Sequence, residues 1–170
     1  MALELANPAE LARPENKLRS GSSLTDAYLL FVNATQRNVN LYWIDYRGQH
    51  TFYLTLRPGF STKVNTFQSH PWIFRDHYTG ERMQAENDYI YWPKRYVIPN
   101  PRDSTQLIAC RRQISIHFPI RTLRETCLWN IMRGFKLTPE TIDGYCIPST
   151  LKTDLKLVLR AVKKHQMHTF

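Results

Sequence analysis

The apolar residues of this chain change their period at Pro119, and that change limits the fold more than any other feature. Upstream lie short runs rich in β-branched and aromatic residues, at 28–32, 39–46 and 50–57, punctuated by Arg47-Gly48 and Pro58-Gly59. Within 39–46, Val39, Leu41 and Trp43 share one parity and Tyr42, Ile44 and Tyr46 the other, which gives two partly apolar faces. Further strands are expected at 61–67, 71–75, 88–91, 106–109 and 112–118. Seven or eight short strands with turns between them argue for a β-sandwich over 27–119. Downstream the spacing becomes helical, which predicts a small α domain over 120–165 followed by a tail, 166–170. Residues 1–26 carry Pro8, Pro14 and Gly21 amid charges. They read as a largely disordered arm, with at most a helical turn or two between Leu3 and Leu11. The expected fold is mainly β with a small α domain, a β-sandwich followed by a short helical cluster.

The first helix has the most explicit local signal. Thr122 followed by Glu125 is a capping box, hydroxyl to one orphan amide and carboxylate back to another. Leu123, Cys127 and Ile131 then recur at every fourth position, so a helix aligns them on one face, and Gly134 is a stop. The ordinary reading of such a stripe is a core helix with a buried cysteine. The other is a helix presented to a partner protein, its small cysteine allowing close approach. A second helix starts at Pro139, and a third follows Pro148 with Leu151, Leu155, Val158, Leu159 and Val162 along one side. Lys152, Lys156, Lys163 and Lys164 occupy its other face.

Two segments together resemble one family. Thr-Leu-x-x-x-Cys-x-x-x-Ile, from Thr122 to Ile131, is similar to the BC box through which cullin-ligase receptors bind Elongin C. Upstream come Trp43, then Tyr53-Leu-Thr-Leu-Arg-Pro58-Gly59, then Thr66-Phe-Gln-Ser-His70-Pro-Trp72-Ile-Phe74-Arg75-Asp76. In order, spacing and identity these resemble the von Hippel–Lindau family, receptors of hydroxylated proline in hypoxia-inducible factor alpha-type proteins. The resemblance covers roughly residues 28 to 147. It implies a non-catalytic substrate receptor working in cytoplasm and nucleus with Elongin C, Elongin B, a cullin scaffold and a RING protein.

Carried over residue by residue, Trp43 forms the floor of a hydroxyproline pocket. Tyr53 and Trp72 line it, and Thr66 and His70 hold the hydroxyproline oxygen. Flat aromatic walls suit a pyrrolidine ring, and a donor with an acceptor satisfies its hydroxyl. An unmodified proline then leaves buried polar groups unpaired, at about 1–3 kcal/mol each. The family commonly has serine at Thr66, histidine at Asn65 and tyrosine at Phe67. The last two positions flank the peptide, and Asn33 is expected near it. On the ligase side, Leu123 is the expected anchor in Elongin C, with Cys127 and Ile131 beneath it and Thr122 and Leu128 on the same surface. For the cullin, Pro139, Ile142 and Ile147 resemble the family's cullin box, and residues 147–151 are a similar candidate. The family's helical region is longer by several residues, so the last helix here sits differently or one helix is missing.

Charge and cysteine usage fit this reading without requiring it. A formal net charge of +9 permits an acidic protein, nucleic acid or an anionic membrane as partner. The basic residues are dispersed, however, and no zinc-finger, RNP-like or phosphate-loop motif accompanies them, so no nucleic-acid partner is expected. Three cysteines at unrelated spacings argue against a secreted disulfide scaffold. No apolar run is long enough for a transmembrane segment, and no signal-peptide pattern begins the chain. The histidines fall into no metal spacing and no serine sits in a nucleophile elbow, so no catalytic residue, metal or cofactor is expected. The alternative is a structural or adaptor protein that binds microtubules, matrix or membrane through its basic surface, independent of proline hydroxylation.

Overall fold

The computed structural model describes residues 18–169, with side chains through Met167. Of the arm expected over 1–26, residues 1–17 lie outside it, whereas Ser20 and Gly21 are held by hydrogen bonds from their amides to the carbonyls of Asp45 and Ser69, and the tail expected over 166–170 is helical through Thr169. Among the described residues nine strands precede three helices. The strands are β1 (Asp26–Asn33), β2 (Val39–Ile44), β3 (His50–Leu56), β4 (Ser61–Phe67), β5 (Trp72–Asp76), β6 (Arg82–Ala85), β7 (Tyr96–Asn100), β8 (Asp103–Cys110) and β9 (Arg112–His117). The helices are α1 (Leu123–Gly134), α2 (Pro139–Gly144) and α3 (Ser149–Thr169). The described chain divides into two compact units. One runs up to His77 and resumes over Glu81–Pro119; the other holds Tyr78–Gly80 and the residues from Ile120 on.

In the first unit seven strands form one sheet in the order β3-β2-β5-β6-β9-β1-β4. Only β1 and β9 pair in parallel among its ladders. Alternation along β1 buries Ala27, Leu29 and Phe31 and turns Tyr28 and Leu30 outward. Phe31 meets the rings of Trp72 and Phe74 on β5 at 5.4 and 5.1 Å, although β1 and β5 are not neighbours in the sheet. The sheet therefore folds over on itself, and its two halves close a core of Leu29, Phe31, Leu41, Val64, Phe74 and Ile116. That is the expected sandwich, open along a seam whose two sides are the end strands β3 and β4.

The turn between β3 and β4 fixes that seam. Pro58 and Gly59 make the expected tight turn, with Gly59 at φ +74°, where other residues are strained. Asn33 reinforces it from beneath. Its amide nitrogen donates to the carbonyls of Leu56 (2.8 Å) and Arg37 (2.7 Å), and its oxygen accepts from Thr35. Asn33 is fully buried, so the expectation that it contacts a bound peptide is corrected. A buried amide must find partners, and this one spends its capacity on the turn.

Three strand assignments change. Residues 88–91 form isolated bridges to Ala85 and Trp72 instead of a strand, and β6 and β7 were not expected. β7 and β8 make a separate ribbon on which Tyr96, Val97, Ile98, Leu107 and Ile108 are exposed.

In the helical unit the capping box forms as read. The Thr122 hydroxyl accepts from the Glu125 amide, and the Glu125 carboxylate accepts from the Thr122 amide at 2.9 Å. Thr138 caps α2 similarly, with Pro139 in its first turn. A second core gathers Leu128, Leu137, Ile142, Leu155 and Leu159. Arg124 pairs with Asp154, and Lys156 reaches the Asp143 carboxylate at 2.6 Å. Lys152 donates to the Asp143 carbonyl. Two of the four lysines on the other face of α3 thus tie it to α2.

Candidate functional site

The expected pocket residues fall along the seam. Across the β2–β5 ladder Trp43 and Trp72 are register partners. Trp72 is buried, and two side chains from the two sides of the seam meet its ring. From β3, Tyr53 stands edge-on at 5.2 Å. From β4, the Thr66 hydroxyl accepts the indole N–H at 3.3 Å. A β-bulge lets Tyr53 do this: Leu54 pairs with Leu41 and Phe52 with Tyr42, so Tyr53 is the extra residue and is re-aimed. It remains half-exposed, whereas Thr66 and His70 are 7% and 6% exposed, so the polar groups lie below an aromatic rim.

Trp43 organises the other half. Its indole N–H donates to Ser20 Oγ at 2.8 Å, and Ser20 in turn donates to the Ile44 carbonyl. The ring of His70 stacks on Trp43 at 5.3 Å with 30° between planes, and Phe67 and Tyr46 stand edge-on to that imidazole. His70 Nε2 lies 3.2 Å from Ser23 Oγ and 3.3 Å from Tyr46 Oη. Ser20, Ser23 and Tyr46 were not singled out from the sequence. They lie more than twenty positions from their partners, and no spacing signal connects them.

The flanking residues differ in kind. Phe67 packs on His70. Asn65, of opposite parity to Thr66, is exposed on the outer side of β4, where its oxygen accepts from the Arg111 guanidinium at 2.8 Å. Other donors of Arg111 reach the carbonyls of Leu29 and Val64.

Burial lowers the pKa of His70, with hydrogen bonding at the Gly21 backbone working the other way. Burial, then the charges of Arg75 and Arg82, lower that of His50. Both are bases with depressed folded values, so as pH falls the unfolded chain takes up protons first. Their stabilisation is whole above the unfolded value of about 6.5 and is lost as pH drops below it toward the folded values. The midpoint of thermal unfolding should therefore fall between about pH 7.5 and about pH 5.5, and His50→Gln should shrink the fall. A variant with an undiminished fall would count against this assignment.

On the helical unit the stripe divides. Leu123 is 80% exposed, Cys127 is exposed and Ile131 is half-buried against the second core. Thr122 is exposed and occupied by the cap. Leu128, expected on the partner surface, is buried in the core, and so is Ile142, expected at the cullin. Both are corrected as surface contacts. In α1 the apolar residues outnumber what one face can bury, and Leu128 is the one aimed at α3. Pro139 is exposed and Ile147 half-buried. Trp129 is half-buried with the Arg121 guanidinium over its ring at 5.6 Å. Among the described residues no group of His, Cys, Asp and Glu could hold a metal ion.

Comparison with known proteins agrees with this layout. A family model described as the VHL beta domain matches residues 18–97, which include Ser20, Ser23, Trp43, Tyr46 and every expected pocket residue. Protein Vhl of Drosophila melanogaster is 43% identical over 145 residues, covering 82% of each chain. With similarity of that degree over both the strands and the helices, the chain belongs to the VHL family, and its role is that family's, a non-catalytic substrate receptor of a cullin-RING ubiquitin ligase.

Proposed function

We propose that the seam between β3 and β4 receives a 4-hydroxyproline-containing segment of a hypoxia-inducible factor alpha-type protein. The helical unit then connects this receptor to Elongin C with Elongin B, and through a cullin and its RING protein to ubiquitination and proteasomal degradation. The observation that carries the reading is the state of Thr66. A threonine hydroxyl has one proton and two acceptor positions. The Trp72 N–H takes one acceptor position, which leaves the proton and the second acceptor position for a ligand hydroxyl. Neutral His70 supplies a second polar group behind the same aromatic walls. Among the described residues β4 has a neighbour only in β1, so its other edge can pair with an extended peptide by main-chain hydrogen bonds. The basic balance of the chain favours acidic flanks through steering.

For the helical unit, the exposed line of Leu123 and Cys127 supports a docking role, and Pro139 and Ile147 remain on offer to a cullin. Exposed thiols at Cys127 and Cys146 suit the reducing cytoplasm and nucleus.

Titration with matched peptides tests the reading. The hydroxylated peptide should bind about a hundredfold more tightly than the unmodified one, because proline leaves the remaining hydrogen-bonding positions of the buried hydroxyl and imidazole unfilled. Thr66→Ser should keep most of that preference. Thr66→Val should erase most of it and also cost about 1–3 kcal/mol of stability, since the Trp72 N–H loses its acceptor. Equal affinities of the wild-type protein for the two peptides would overturn the proposal.

A further inference from the structure

His70 is gripped on its Nε2 side by two hydroxyls that no motif marks. Ser23 Oγ and Tyr46 Oη lie 3.2 and 3.3 Å from Nε2 and 2.9 Å from each other, a closed triangle of three polar atoms. Of the acids in this triangle the phenol is the strongest, so Tyr46 is the better donor toward a ring nitrogen. The arrangement that satisfies all three atoms has Tyr46 donating to Nε2 and Ser23 donating to the Tyr46 oxygen. The ring proton then belongs on Nδ1. Stacking on Trp43 and the edges of Phe67 and Tyr46 fix the plane of the ring.

From this geometry we infer that Ser23 and Tyr46 are positioning residues, a hydroxyl clamp that sets the tautomer and direction of His70. With Nε2 occupied as an acceptor, Nδ1 is the ring's donor and its direction is fixed; the Gly21 backbone, which also hydrogen-bonds this ring, competes with a ligand for that proton. With Nδ1 donating, the imidazole complements the oxygen of a hydroxylated ring. Its consequence for selectivity rests on the hydroxyproline reading; the clamp itself does not. Released from the clamp, the imidazole populates both tautomers, and the other one no longer donates to the ligand oxygen.

Two readouts on the full chain test this. The chemical shifts of the His70 ring nitrogens, followed by nuclear magnetic resonance in the free protein, report which one carries the proton. Wild type should show an unprotonated Nε2. Tyr46→Phe keeps the aromatic edge and removes only the oxygen, so it should shift both signals toward a mixture. It should also lower the preference for hydroxylated over unmodified peptide by about tenfold. Ser23→Ala should act in the same direction by less, and the double variant should add little to Tyr46→Phe because the hydroxyls act as a unit. Unchanged ring signals in Tyr46→Phe, or a wild-type ring protonated on Nε2, would overturn the clamp. If wild type shows no preference between the peptides, the hydroxyproline reading falls, and the ring signals still decide the clamp.

Discussion

Leu123→Asp is expected to weaken binding to Elongin C by about a thousandfold while leaving thermal unfolding nearly unchanged. Leu123 is 80% exposed in the free chain, so its removal takes no packing from either core. At the start of α1 a carboxylate also sits favourably with the helix dipole. In a complex the same position would be an anchor. Losing its burial costs about 2–3 kcal/mol, and desolvating an unpaired carboxylate adds at least one more, which together make about three orders of magnitude. Leu128→Asp is the contrasting control: it places a charge inside the second core and should unfold the helical unit itself. Pull-down with purified Elongin C, beside thermal scans of both variants, separates the two effects. Full capture of partner by Leu123→Asp would return α1 to a merely structural role.

The other large effect lies beneath the seam. Phe31→Ala should cost about 3–5 kcal/mol. Its ring is fully buried and holds Trp72, Phe74 and Tyr91 at centroid distances of 5.4, 5.1 and 5.9 Å. A cavity there frees Trp72, and Tyr53 and Thr66 both take their positions from Trp72. Peptide affinity should therefore fall even at temperatures where the variant is still folded. Denaturant unfolding and peptide titration on one preparation would check this; a loss below about 1 kcal/mol would mean that the two halves of the sheet do not depend on this ring.

How much of this was legible depends on whether the signal was local. The capping box of Thr122 and Glu125 and the turn at Pro58-Gly59 each lie within a few residues, and both formed as read. β6 was missed because Arg82-Met-Gln-Ala has no β-branched residue, and β7 because prolines at 93 and 99 mark that stretch as irregular. Asn33 shows a different limit. A polar residue at a strand end reads equally as a ligand contact or as a buried amide, and only its partners at Leu56, Arg37 and Thr35 decide. Leu128 and Ile142 were assigned to partners because helical spacing gives a stripe but not the side from which neighbours will cover it. Tyr46 and Ser23 had no local signal, since tertiary structure alone brings them to His70.

The parallel pairing of β1 with β9 has a consequence in time. As the chain leaves the ribosome, β1 can pair with β4, and β2 with β3 and β5, while β9 is still unmade. Two separate ribbons result, each with apolar side chains facing nothing. Leu29 waits for Arg112 and Phe31 for Ile114, and β9 also pairs with β6, which in turn pairs with β5. The late strand is thus the clasp that brings the halves together. Until it emerges, Thr66 belongs to one ribbon and Trp72 to the other, so the nascent protein has every residue of its seam and no seam. Contacts of such long sequence separation form slowly, and this receptor passes its early life with the edges of two unfinished sheets open to whatever is nearby.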